Sequence, residues 1–146
     1  MTPLVRNQYK KIQYGVKRNP TILSLLLGRF TFLQKVKIFN RYMFFHSFRN
    51  FNYEKDTINS QCLPGCFLIT RPEVFNLIGG FNEMFFLHME DSDFVRRCSD
   101  HGETCHIPLG EVKHLWERGS HSSLKQTLYL IHSVYLYFKY WGVKFF

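Results

Sequence analysis

Glu90, Asp91 and Asp93 place three carboxylates within four residues. They close an apolar run, Phe85 to Met89, that a glycine pair, Gly79-Gly80, sets apart from the preceding element. Acids gathered beside aromatic residues have two explanations. As helix caps, Asp91 accepts a backbone N–H of the following turn while Glu90 and Asp93 sit at its positive end. As functional groups, carboxylates at the mouth of a cleft act as a general base or as metal ligands.

The elements around these acids are readable from pattern. Cys66 to Ile69 is a continuous apolar run of strand length, which suits a strand buried on both faces. Thr70-Arg71-Pro72-Glu73 has the spacing of a capping box, so a helix is expected from Arg71 or Pro72, burying Val74, Phe75 and Ile78 and ending at Gly79-Gly80. After the acids, Asp93 to His101 reads as a short helix burying Phe94, Val95 and Cys98 and stopping at Gly102. Strands follow over Thr104 to Ile107, ended by Pro108, and over Glu111 to Trp116. A polar turn, 117–123, precedes a last helix, Leu124 to Trp141, with Leu124, Leu128, Ile131, Tyr135 and Phe138 as its buried stripe and Gly142 as its stop.

The first third reads differently. Residues 1–19 suggest a loop with a short strand near Ile12 to Val16, and Thr21 to Arg29 a short helix introduced by Pro20. In Phe30 to Phe48 one face carries Phe32, Leu33, Val36, Phe39 and Met43, while Lys35, Lys37, Asn40 and Arg41 fall elsewhere. That is a basic amphipathic helix, packed on the rest of the domain or lying in a membrane interface. Asn50 to Ser60 is a surface loop. Three regions result: a basic, aromatic helical segment and loop (1–60), an acid-bearing middle (61–120), and a C-terminal helix and tail (121–146).

The chain of 146 residues carries a net charge of +8, unevenly spread. Residues 1–50 hold ten Lys or Arg and no acid; the rest holds nine cations against eleven acids, a balance of −2. The basicity points to anionic lipid head groups or substrate phosphates, since no nucleic-acid-binding module is recognisable. Cys62, Cys66, Cys98 and Cys105 fit no zinc pattern and are expected to be buried, reduced thiols. No apolar stretch approaches the roughly 18 residues that a membrane span requires, so a cytoplasmic chain, peripheral on the inner membrane face, is the expectation.

Taken together, the strand, the helix, Gly79-Gly80-Phe81-Asn82-Glu83, Glu90-Asp91-Ser92-Asp93, His114-Leu115-Trp116 and Tyr137-Phe138-Lys139-Tyr140-Trp141-Gly142 resemble the acceptor-binding half of bacterial family 2 glycosyltransferases. These are inverting enzymes of the GT-A fold, including rhamnosyltransferase-like enzymes of surface polysaccharide and lipopolysaccharide synthesis. The resemblance covers roughly residues 8–142. It implies an α/β chain with a partial GT-A fold: few strands, flanking helices, a long C-terminal helix, and no nucleotide-binding βα half. A truncated or split product is therefore expected, acting with a separately encoded N-terminal half or inactive alone.

By the resemblance Asp91 is the catalytic base, flanked by Glu90, and takes the proton from an acceptor hydroxyl that attacks a nucleotide-sugar. Asp93 would contact substrate, and Gly65 matches a small residue at the acceptor cleft, or is simple turn punctuation. His114 matches a histidine under the leaving diphosphate that ligates a divalent metal, Mg or Mn, or hydrogen-bonds phosphate; otherwise it is a satisfied histidine at a strand end. Arg118 and Ser120 form a cationic turn at a helix start, suited to phosphate, or Ser120 is only a cap. Asp91-Ser92-Asp93 is also literally Asp-x-Asp, but in that family the metal-binding pair lies upstream, so the triplet is read as the base motif.

Overall fold

The computed structural model describes residues 1–115 and 124–146. Within them the chain is mixed α/β, with a three-stranded sheet and five α-helices. β1 (Thr2–Arg6) pairs in parallel with β3 (Cys105–Lys113), which pairs antiparallel with the short β2 (Ile58–Asn59) on its other side. Two strands separated at Pro108 were the expectation; β3 is instead one strand running through the proline. Its register explains how, because residues 106 to 111 of β3 oppose only residues 2 to 4 of β1, and Pro108 sits in that bulge, where a missing donor is tolerated. The expected strand at Ile12 to Val16 is reduced to single bridges, Arg6 to Ile12 and Lys17 to Cys62.

α1 (Ile22–Arg29) forms where expected, but its cap is Thr21, which accepts the Ser24 N–H while Ser24 Oγ accepts the Thr21 N–H. The basic amphipathic stretch divides into a 3-10 turn (Thr31–Lys35) and α2 (Lys37–His46). Only Met43 of the expected face is fully buried; Phe32 and Val36 are exposed, and α2 turns Ile38, Phe44 and Phe45 outward with Lys37 and Arg41 among them. α3 (Pro72–Leu77) has Arg71 at its N-cap and no side-chain cap, so the Thr70 capping box does not form. Val74 and Ile78 pack on the core, while Phe75 stays partly exposed against Phe94.

The run Cys66 to Ile69 is not a strand, and Cys66, Phe67 and Ile69 are exposed. It follows the edge of the sheet through three bonds, Ile69 N–H to the Met1 carbonyl (2.8 Å), the Met1 amino group to the Ile69 carbonyl (2.6 Å) and Thr2 Oγ1 to the Phe67 carbonyl (2.9 Å). α4 starts earlier than expected, spanning Glu90–Ser99. One core gathers Leu4, Val16, Phe48, Tyr53, Ile58, Leu63, Phe94 and Val95 under the sheet. A second joins Phe85 and Met89 to Leu136, Tyr137 and Phe138 of α5 (Leu124–Trp141), with Ile22 and Leu25 of α1 against them.

α5 occupies the expected residues and buries Phe138 as expected, but turns the rest of the expected stripe outward. Leu124 (78% exposed), Leu128, Ile131 and Tyr135 face outward, and Ser133, Leu136, Tyr137 and Phe138 face inward. Polar anchors decide this. Ser133 Oγ donates to the Leu87 carbonyl (2.8 Å), Arg96 to Tyr137 Oη (3.1 Å), and Trp141 Nε1 to Asp93 Oδ1 (2.9 Å). No described helix is long and apolar enough to cross a membrane.

Candidate functional site

The acids are presented by a strained turn. His88 and Met89 both hold left-handed backbone, φ 69° and 64°, a conformation that side-chain-bearing residues adopt at a cost of about 1–3 kcal/mol each and that persists where packing enforces it. The enforcement is visible in Met89, buried in the second core, and in the Ser133 bond to Leu87. The turn delivers Glu90 and Asp91 onto the first helical turn of α4, where the backbone amides favour negative charge.

Asp91 is half-buried. Its Oδ2 accepts the Gly65 N–H at 3.0 Å and its Oδ1 the Ser92 N–H at 2.7 Å. A Cβ built on Gly65 would lie 2.8 Å from the Asp91 Cβ, closer than packed carbons tolerate, so the approach depends on glycine. The charge of Asp91 acts on Cys62, Cys66, His88 and Glu90, the titratable groups that surround it.

The Glu90 carboxyl has its pKa raised, chiefly by burial, with the neighbouring Asp91 charge adding to it. Its Oε2 is buried without a hydrogen-bond partner, as is His88 Nε2. Burial shifts His88 downward while Asp91 opposes that shift. The two carboxylates stand side by side and both are half-buried, Asp91 bonded to two backbone amides and Glu90 with an oxygen that has no partner.

Asp93, expected to touch substrate, is 3% exposed and points elsewhere. Its Oδ2 pairs with Arg97 Nε (2.9 Å) and its Oδ1 with Trp141 Nε1 (2.9 Å). Arg97 in turn donates to the carbonyls of Ile78 (2.8 Å) and Gly80 (2.9 Å). Asp93 therefore ties α4, the glycine turn and α5 together. Gly79 and Gly80 both have positive φ, and a Cβ on Gly80 would meet Phe75 at 3.0 Å.

His114 stands just beyond β3. Its backbone N–H donates to the Arg6 carbonyl (2.8 Å), and its ring faces Gln13: Gln13 Nε2 donates to the His114 carbonyl (2.9 Å) while Gln13 Oε1 lies 3.0 Å from His114 Nδ1. The reciprocal pair places the neutral ring's proton on Nδ1 and the lone pair on Nε2, the tautomer that can ligate a metal or accept a hydrogen bond. From Gln13 the contacts run on, with Gly15 packed against Pro64 and Gly65 against Asp91. Among the described residues no three His, Cys, Asp or Glu side chains converge as a metal site, so His114 supplies one ligand at most. Arg118 and Ser120 lie outside the described residues.

Sequence reasoning missed three neighbours of this site: His88, Gln13 and Cys66. Cys66 was expected to be buried, yet is exposed on the residue after Gly65. Only proximity in the fold singles these out. Comparison of the chain with protein-family models, with curated proteins and with solved structures finds no match.

Proposed function

We propose that the chain is the acceptor side of an inverting, family 2-like GT-A glycosyltransferase, with Asp91 as its base. The single observation that supports this most is the presentation of Asp91 by the strained His88-Met89 turn, half-open and fitted against Gly65. In the reaction an acceptor hydroxyl gives its proton to the Asp91 carboxylate as its oxygen bonds to the anomeric carbon of a nucleotide-sugar. The bond from that carbon to the nucleoside diphosphate breaks from the opposite side, and the diphosphate leaves with the electron pair. Proton removal of this kind contributes roughly 10²–10⁴-fold.

The acceptor is a surface-polysaccharide or lipid-linked glycan. The assignment concerns the acceptor side, and the nucleotide-sugar would be held by a donor-binding half outside the described residues. A divalent metal would neutralise charge on the leaving diphosphate, and His114 Nε2 could supply one of its ligands.

The test is co-expression with a nucleotide-binding GT-A half, followed by sugar transfer to membrane glycan. Transfer with inversion that Asp91→Asn lowers at least a hundredfold is the expected result. Transfer undiminished by Asp91→Asn would overturn the assignment.

A second reading, a non-catalytic membrane-surface module left by truncation, is favoured by one observation. Phe30, Phe32, Val36, Ile38 and Phe45 are exposed beside Lys35, Lys37 and Arg41, in a region without an acid, a pattern suited to anionic lipid. Flotation with anionic but not neutral vesicles, lost in Phe32→Ser with Ile38→Ser, supports this surface. Binding to neither vesicle removes it. Binding of duplex or single-stranded nucleic acid that falls steeply with salt would contradict both readings.

A further inference from the structure

A second cleft lies where the chain at Arg18–Thr21, the end of α2 and the tail after α5 meet. Its volume is about 480 Å³, within the range of small-molecule sites. Its lining contains Arg18, His46 and Lys144 and no Asp or Glu side chain. Arg18 is held by aromatic faces, its guanidinium 3.8 Å from the Phe45 ring centroid and 4.5 Å from that of Phe48. The ion pairs of the described residues belong to Arg6 and Arg97, and none reaches Arg18. Lys144 is placed here because the tail pairs with α1: the Ile22 and Leu23 N–H groups donate to the Lys144 and Phe145 carbonyls (2.8 and 3.0 Å).

Buried polar groups in folded proteins are nearly always paired, and the exceptions gather where a site uses them. Among the described residues, Arg18 Nε and Asn19 Oδ1 of this cleft are buried side-chain polar atoms without a partner, beside a His46 ring that interacts with the Asn19 backbone. Asn19 is fixed by donating Nδ2 to Gln61 Oε1 (2.7 Å), which leaves its oxygen as a free acceptor. A stacked guanidinium keeps its planar fork pre-organised for phosphate, and the rings of Phe45, Tyr42 and Phe146 give the same cleft an apolar wall.

We propose that this cleft binds a phosphate ester, the phosphate on Arg18 and Lys144 and the ester's body against Tyr42, Phe45 and Phe146. The site stands independently of the glycosyltransferase reading. Such an ester is either a soluble phosphomonoester or the head of a lipid, and both offer the same group to Arg18.

Titration calorimetry of the whole chain with phenyl phosphate, with inorganic phosphate, and with vesicles containing phosphatidic acid tests the site. Phenyl phosphate should bind more tightly than inorganic phosphate because it adds the ring contact. Arg18→Gln should weaken binding about tenfold or more, since hydrogen bonds to charged groups are the strong ones. Lys144→Gln, which changes an exposed side chain and keeps the backbone bond to Ile22, should weaken it severalfold. Arg18→Lys should fall between wild type and Arg18→Gln. Loss of vesicle binding in Arg18→Gln with weak phenyl phosphate binding identifies a lipid source; tight phenyl phosphate binding that vesicles do not displace identifies a soluble one. Unchanged binding in Arg18→Gln and Lys144→Gln, or no binding of any probe at millimolar concentration, overturns the proposal.

Discussion

Gly65 gives its backbone N–H to Asp91 Oδ2 at 3.0 Å, and the same pair lies so close that a Cβ on Gly65 would meet the Asp91 Cβ at 2.8 Å. The hydrogen bond and the missing side chain are one device for aiming a carboxylate. Gly65→Ala should push the Asp91 side chain off this amide and destabilise the fold by about 1–3 kcal/mol, as overpacking does. Urea denaturation of the two proteins gives the number; equal midpoints would mean that the loop before Cys66 yields freely and does not aim Asp91.

Asp93 belongs to the fold rather than to the open site, and the same method can show it. Asp93→Asn leaves Arg97 beside two carbonyls without its counter-charge, a loss on the order of 3 kcal/mol for a pair with one fully buried partner. Trp141→Phe removes only one hydrogen bond from the same carboxylate and should lose about 1–2 kcal/mol. Stability unchanged by Asp93→Asn would return that residue to the list of substrate contacts.

His46 should make the protein acid-sensitive. It is 4% exposed, and burial, with the charges of Lys17 and Arg18 adding to it, lowers its pKa from 6.5 to about 4. The folded state therefore resists protonation that the unfolded chain accepts. Stability is full above pH 6.5 and declines as pH falls from there toward about 4, by at most about 3 kcal/mol. His46→Phe keeps a ring beside Tyr42 and removes the titration, so its stability should be flatter across that window. Parallel pH profiles for the two proteins would refute the assignment.

Thiol labelling reports on the site without any substrate. Cys66 is exposed, whereas Cys62 and Cys98 are buried, and burial together with Asp91 pushes the Cys62 thiol up to about 11. Iodoacetamide at mildly alkaline pH should modify Cys66 well before Cys62. Partial burial raises the Cys66 thiol and the Asp91 charge adds to it, so Asp91→Asn should speed its labelling modestly. No change in the Cys66 rate would place the carboxylate farther away than the structure does.

The helices with strong local signals, Ile22–Arg29 and Leu124–Trp141, were legible in the sequence, as was the glycine turn that precedes the acids. What failed depended on partners distant in the chain. In α5 two faces are apolar enough to be buried, and bonds from Leu87, Asp93 and Arg96 select the face that carries Ser133 and Tyr137. Cys66 to Ile69 has the composition of a core strand, but the sheet uses β3 as the partner of β1 and leaves this run along the edge. The acids themselves were visible, while their division of labour was not. Asp93 became structural because Arg97 and Trp141 reach it, and no local pattern reports that.

Glu90 offers the clearest check on how the site is wired. The residue is half-buried, with Oε2 enclosed and unpartnered, and its pKa is raised by burial first and by Asp91 second. In acid both the folded and the unfolded chains hold the proton, and Glu90 contributes no difference. As pH rises through the unfolded carboxylate range, the unfolded chain ionises while the folded one resists, so stability falls until the folded group also ionises. Glu90→Gln should accordingly match wild type in acid and exceed it at neutral pH, as measured by urea midpoints at both. A Gln variant that is weaker at neutral pH than in acid, relative to wild type, would show that the Glu90 carboxylate is stabilised by a cation, and the base would then have to be chosen afresh between the two neighbouring acids.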